Sequence, residues 1–109
     1  MAARPVAPRA QAARDVDAAI KHYLEEGAVE AALGFIDALE RAYMHLGLHP
    51  ATGSPRYGHA LGLPGLRSWP LTGYPFLVFY VERDDQIDVW RVLHTRRDIP
   101  QRMAEPDGL

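Results

Sequence analysis

The spacing of apolar side chains changes character along this chain. From Ala10 onward, Val16, Ile20, Tyr23 and Leu24 recur at i, i+4, i+7 and i+8, while Asp15, Asp17, Lys21, Glu25 and Glu26 take the other side. That is the period of an amphipathic helix, and Gly27 is placed to cap its C-terminus. A second stripe follows at once: Ala32, Phe35, Ile36, Leu39, Tyr43 and Leu46. It fades at Gly47 and is over by Pro50. Two such helices joined by about three residues predict an antiparallel helical hairpin.

The stretch "HPATGSPRYGHALGLPG" (49–65) is rich in Pro and Gly and reads as a loop. Beyond it the period shortens to that of strands. "LRSWPL" (66–71), "PFLVFYVE" (75–82) and "IDVWRVLH" (87–94) are separated by turns at "GY" (73–74) and "RDDQ" (83–86). Upstream, "ARPVAPRA" (3–10) holds too many prolines for a central strand. It suits a short edge strand around Arg4–Ala7, with Pro8 in a first helical turn. The order β-α-α-β-β-β predicts an α+β fold: an N-terminal edge strand, an antiparallel helical hairpin, then a three-stranded antiparallel sheet with the hairpin packed on one face, and a short C-terminal segment. The reading is of a single domain over residues 1–109, with its core from about 4 to 100. A short helix is expected before Pro106, and residues 101–109 are expected to fray.

Composition narrows the chemistry. The chain has 109 residues, 48% hydrophobic and 24% charged, in the range of a globular protein. A formal net charge of −2 argues against binding nucleic acid through overall charge. Lys21 is the only lysine, against eleven arginines. The abundance of Ala, Gly, Pro and Arg fits a GC-rich genome, although Arg is also the better fork for carboxylate and phosphate. Without cysteine, disulfides, thiolate catalysis and cysteine metal sites are excluded. No segment approaches the roughly 18 apolar residues of a membrane span, and the start lacks the apolar core of a signal peptide. A cytoplasmic location away from membranes is expected.

Enzyme motifs are absent: no glycine-rich phosphate loop precedes a helix, and Ser54 and Ser68 sit in no nucleophile elbow. His45 and His49 in "HLGLH" have a zinc-compatible spacing, but no Glu follows His45 and no third ligand is spaced nearby. They read as surface histidines at a helix end, so no metal and no cofactor is expected. Tyr23, Phe35, Tyr43, Trp69, Phe76, Phe79 and Trp90 read as core and sheet-face residues in preference to a base-stacking platform. The segment "RVLHTRRDI" (91–99) is the densest chemistry. If the strands pair antiparallel, Arg67, Arg91, His94 and Arg96 approach one another as a pocket for phosphate or acidic side chains. Alternatively, Arg91 and Arg97 pair with Asp88, Asp98 or Glu82 and fasten the sheet edge. The pattern leaves both open.

Four stretches together, "PRAQAARDVDAAIKHYLEEG", "AALGFIDALERAYMHLGLHPATGSPR", "GLRSWPLTGYPFLVFYVERDD" and "IDVWRVLHTRRDI", with the ending RVLH-x-x-RD, resemble the ParE branch of the ParE/RelE toxin superfamily. The likeness runs from about Pro5 to Ile99. It implies the toxin of a type II toxin–antitoxin module, of the plasmid-stabilisation kind, neutralised in a hetero-oligomer by a cognate ParD-like antitoxin. It further implies action by inhibiting DNA gyrase, which is interference with another enzyme and not catalysis, without sequence-specific binding of nucleic acid. The related RelE branch cleaves mRNA on the ribosome, using several basic residues on the sheet. This chain departs from that pattern, since its lysine is in the first helix and Pro75 stands where such members carry a basic residue. The nearest ribonuclease set here is His94, Arg91, Arg96 and Arg67. A degenerate member that binds antitoxin without being toxic is a third reading. Antitoxin contacts are expected at Arg67, Arg91, Arg96, Arg97, Tyr23 and Phe35. Apolar antitoxin residues are expected on the helical hairpin and acidic ones toward Arg67 or Arg91.

Overall fold

The computed structural model describes residues 3–96 together with Ile99 and Met103. Its elements run β1 (Val6–Pro8), α1 (Ala10–Glu25), α2 (Val29–Leu48), a 3-10 turn (Pro50–Thr52), α3 (Arg56–Leu61), β2 (Leu66–Pro70), β3 (Phe76–Glu82) and β4 (Ile87–His94). The architecture is the α+β order read from the apolar periods. Gly27 ends α1 with φ 74°, a left-handed conformation that costs glycine little. The N–H of Gly27 donates to the Leu24 carbonyl and that of Ala28 to Tyr23, the paired bonds of a Schellman cap. Gly47, by contrast, does not end α2, which runs to Leu48. It lies buried inside the helix, where the Arg4 N–H donates to its carbonyl at 3.0 Å.

The sheet order is β1-β4-β3-β2. The edge strand lies parallel to β4, Val6 opposite Ile87, and the other pairs are antiparallel. It begins at Val6 and not at Arg4, and Pro8 belongs to it and not to α1. An edge position does not need the proline's missing donor, and the Arg9 N–H continues the pairing to Val89 at 2.8 Å.

Between Phe79 and Tyr80 the pairing of β3 with β4 slips: Phe79 lies opposite Arg91, but Tyr80 lies opposite Val89. One extra β4 residue is accommodated as a bulge, which re-aims the side chains around it. Val89 and Val92, three apart, therefore both pack on the helix side.

Both faces of the sheet are covered. Toward α1 and α2, Phe35, Leu39, Leu46, Val78, Tyr80, Ile87, Val89 and Val92 form one core. On the opposite face Leu66, Phe79, Val81 and Leu93 pack with Ile99 and Met103, flanked by Tyr57, Leu61, Leu63 and Trp90. Stretch 49–65, read as a loop, thus contains a 3-10 turn and α3, and supplies part of this second layer. The reason is that β3 and β4 carry apolar residues on both faces, so the second face also has to leave water. Met103, from the segment expected to fray, is helical and 1% exposed. Leu24, assigned to the core stripe of α1, is half exposed, and the deeply buried positions there are Ala12 and Ala19.

Candidate functional site

The arginine at the start of "RVLHTRRDI" is an interior residue. Arg91 is 1% exposed, and its guanidinium donates to Asp15 of α1 through Nε (2.8 Å) and Nη2 (2.9 Å). The Val92 N–H adds a third bond to the same carboxylate at 3.0 Å. A buried bidentate pair with its lone pairs satisfied is the form in which such charges are tolerated. Two of the three partners foreseen for Arg91, Asp88 and Glu82, are engaged by other arginines. Asp88 is held by Arg9 (Nε and Nη2, both 3.0 Å), Arg83 (Nη2, 3.0 Å) and the Trp90 indole (3.1 Å). Glu82 bonds Arg4. Asp98 lies outside the described residues. Burial by itself would raise the Asp88 pKa, but the bonds from Arg9, Trp90 and Arg83 outweigh it and hold the carboxyl below its ordinary value. The Arg9 guanidinium also lies 4.5 Å from the Trp90 ring centre. This network pins β1 and its following residue to β4.

The remaining basic candidates do not meet on one surface. Arg67 on β2 donates to the Gly53 carbonyl at 2.8 Å, tying down the chain before α3. Beside it, the Tyr80 hydroxyl donates to the Pro50 carbonyl (2.7 Å) and accepts from the Gly53 N–H (2.9 Å). His94 stands at the far end of β4, opposite Phe76, and its Nδ1 accepts the Arg96 N–H at 3.1 Å. Arg97 lies outside the described residues. So Arg67, Arg91 and His94 with Arg96 occupy three separate places.

Of the two aromatic candidates, Phe35 is fully buried, with ring centres 5.0 Å from Phe76 and 5.9 Å from Tyr74. Tyr23 is half-buried beside them, 6.0 Å from Phe35, and burial with the nearby Tyr74 hydroxyl raises its pKa. Tyr43 is pushed up to about 12 by burial and then by the Asp15 charge. Phe35 and Arg91 therefore shape the frame from inside, and Tyr23 and Arg96 reach the surface. His45 does not face outward to an ion: it stacks on Trp69 at 4.4 Å and its Nε2 meets the Thr52 hydroxyl at 3.0 Å. Among the described residues no group of three or more His, Asp or Glu could hold a metal. Nor is any helix there long and apolar enough to cross a membrane.

The sequence reading missed a second apolar stripe on α2. Val29, Leu33, Met44 and Leu48 are 55%, 62%, 69% and 50% exposed. At about 100° per residue they fall within an arc of roughly 100° on the helix, away from the core stripe. Asp37 and Glu40 share this face, and Asp37 pairs with Arg41 at 3.2 Å. The signal was present as apolar residues out of phase with Phe35 and Leu39. Leu24 adds a further exposed apolar residue at the hairpin end of α1.

A family model described as the ParE toxin of the type II toxin–antitoxin system, parDE, matches residues 6–99. A solved structure described as the chromosomal ParDE TA system from P. aeruginosa superposes with a TM-score of 0.70. It shares 22% identity, over 85% of this chain and 97% of that one, and shows the likeness of fold. A search of the curated proteins found no match.

Proposed function

The chain belongs to the ParE toxin family of type II toxin–antitoxin systems, and from that premise we propose that it is a cytoplasmic toxin neutralised by a ParD-like antitoxin and directed at DNA gyrase. The observation that carries the antitoxin part is the exposed stripe Val29, Leu33, Met44 and Leu48 on α2. Large apolar side chains left in water on one helix face mark a docking surface, and this one suits the apolar side of an amphipathic segment. Its length, from Val29 to Leu48, is about 28 Å at the rise of an α-helix. The solved ParDE system of the same fold lends the partner's kind.

Inhibition of gyrase is favoured over mRNA cleavage by the dispersal of the ribonuclease candidates. Arg91 is enclosed and bound to Asp15, and Arg67 is engaged with a backbone carbonyl two strands away. A phosphorane would need cations converging on one oxygen cluster.

Inducible expression with and without the neighbouring antitoxin gene tests the reading. Expression alone is expected to arrest growth and induce the DNA-damage response, and co-expression to relieve both. Arrest accompanied by cuts in ribosome-bound mRNA, without DNA damage, would favour the nuclease. Harmless accumulation of folded protein would favour a degenerate member.

A further inference from the structure

The outer stripe of α2 is apolar at its two ends and acidic in the middle. Val29 and Leu33 stand at one end, Met44 and Leu48 at the other, all of them exposed. Asp37 follows Leu33 by four residues and Glu40 precedes Met44 by four, so both carboxylates fall between the apolar pairs. From Leu33 to Met44 the helix rises about 16 Å.

The two acids differ. Asp37 is held by Arg41, one turn further on, at 3.2 Å. Glu40 is exposed, and among the described residues no hydrogen bond or ion pair engages it. Its helical neighbours three and four residues away are Ile36, Asp37, Tyr43 and Met44, none of them basic. A purely apolar partner seated on the stripe would take the Glu40 carboxylate out of water without a counter-charge, which is costly. A basic side chain between two apolar anchors removes that cost and adds a charge-assisted bond. A second copy of this chain is not such a partner, although the stripe is palindromic in its spacing. Antiparallel pairing about the midpoint between Ala38 and Leu39 sets Val29 against Leu48 of the other copy, and Leu33 against Met44. The same register sets Asp37 of each copy against Glu40 of the other, and like charges so placed repel.

We propose that the outer face of α2 selects an amphipathic partner helix whose two apolar anchors are separated by a basic residue, and that this residue pairs with Glu40. The assignment of that helix to the antitoxin rests on the toxin–antitoxin reading, whereas its charge pattern rests on the face alone. The span from Leu33 to Met44 sets the partner's own pattern: apolar residues about three turns apart on one face, with Arg or Lys midway. Glu40 is then a specificity element. It rejects partners with an apolar or acidic centre more than it tightens the right one.

The test is an NMR titration of the labelled protein with two blocked, alanine-rich helical peptides. Both carry leucines at the spacing of Val29, Leu33, Met44 and Leu48; one has arginines at the Asp37 and Glu40 spacing, the other glutamates. The arginine peptide is expected to shift the Leu33, Glu40 and Met44 amides and to bind about tenfold more tightly, the scale of one charge-assisted contact. Glu40→Arg, at an exposed helix position, is expected to remove that preference with the circular dichroism unchanged. Equal binding of the two peptides to wild type, or shifts that avoid α2, would overturn the proposal. So would a wild-type dimer in sedimentation that Leu33→Glu dissociates, since the face would then belong to a second copy. A parallel measurement with the co-encoded antitoxin separates the two ideas. If its affinity falls with Leu33→Glu but not with Glu40→Arg, the charge proposal falls while the antitoxin reading of the face stands. If no antitoxin binds but wild type still prefers the arginine peptide, the face keeps its chemistry and the antitoxin assignment falls.

Discussion

The Asp15 carboxylate on α1 receives both Nε and Nη2 of Arg91 on β4, at 2.8 and 2.9 Å, with Arg91 1% exposed. Removing either member breaks a buried ion pair, which costs on the order of 3–5 kcal/mol. Arg91→Met and Asp15→Leu are each expected to lose that much in urea denaturation. The double variant, which removes both charges, is expected to recover most of it. A double variant no better than the worse single one would show that the pair does not act as a unit.

The Asp88 carboxyl, held low by Arg9, Trp90 and Arg83 despite its burial, gives a pH signature. A depressed folded-state pKa contributes stability above the unfolded value, near 3.8, and that contribution is lost as pH falls through the lower folded value. Asp88→Asn is therefore expected to be less stable than wild type at neutral pH, with the gap closing in strongly acidic solution. Denaturant midpoints from neutral pH down to about pH 2.5 measure it, spanning the ordinary carboxylate range. A gap independent of pH would contradict the network.

At Gly47 a Cβ would sit 2.7 Å from the Arg4 backbone oxygen. Backbone cannot swing aside as a side chain can, so Gly47→Ala is expected to cost about 1–3 kcal/mol, the range for overpacking. That outweighs the helix-propensity gain of roughly 1 kcal/mol for replacing Gly by Ala. A stabilised variant in thermal melts would mean that the N-terminal segment does not press on α2.

On the outer face of α2, Leu33→Glu and Met44→Glu alter side chains that are 62% and 69% exposed. Stability is expected to stay within about 0.5 kcal/mol. Affinity for the antitoxin is expected to fall at least about tenfold, as for truncation of an interface anchor. Calorimetry against the co-encoded antitoxin decides it: unchanged affinity in both variants would move the interface elsewhere.

Most of the fold was legible because its elements have clean periods. The limits of β4 at Ile87 and His94 follow from alternation ended by turn residues, and the Gly27 cap from the end of the α1 stripe. The second layer was legible only in hindsight: Trp90 and Leu93 beside Val89 and Val92 make β4 apolar on both faces, which one helical hairpin cannot cover. The direction of Arg91 was not legible, since it depends on where the bulge falls and on Asp15, 76 residues away in sequence. Strand pairing alone placed Arg67, Arg91 and His94 together, whereas the register spreads them over three strands' worth of sheet.

The central claim is that this ParE-family chain acts on gyrase. Titration of purified gyrase with the purified chain, read as supercoiling of relaxed plasmid, measures it most directly. Progressive loss of supercoiling with accumulation of cleaved DNA, reversed by prior addition of the antitoxin, is the expected result. Full supercoiling at saturating concentrations of folded chain would contradict it.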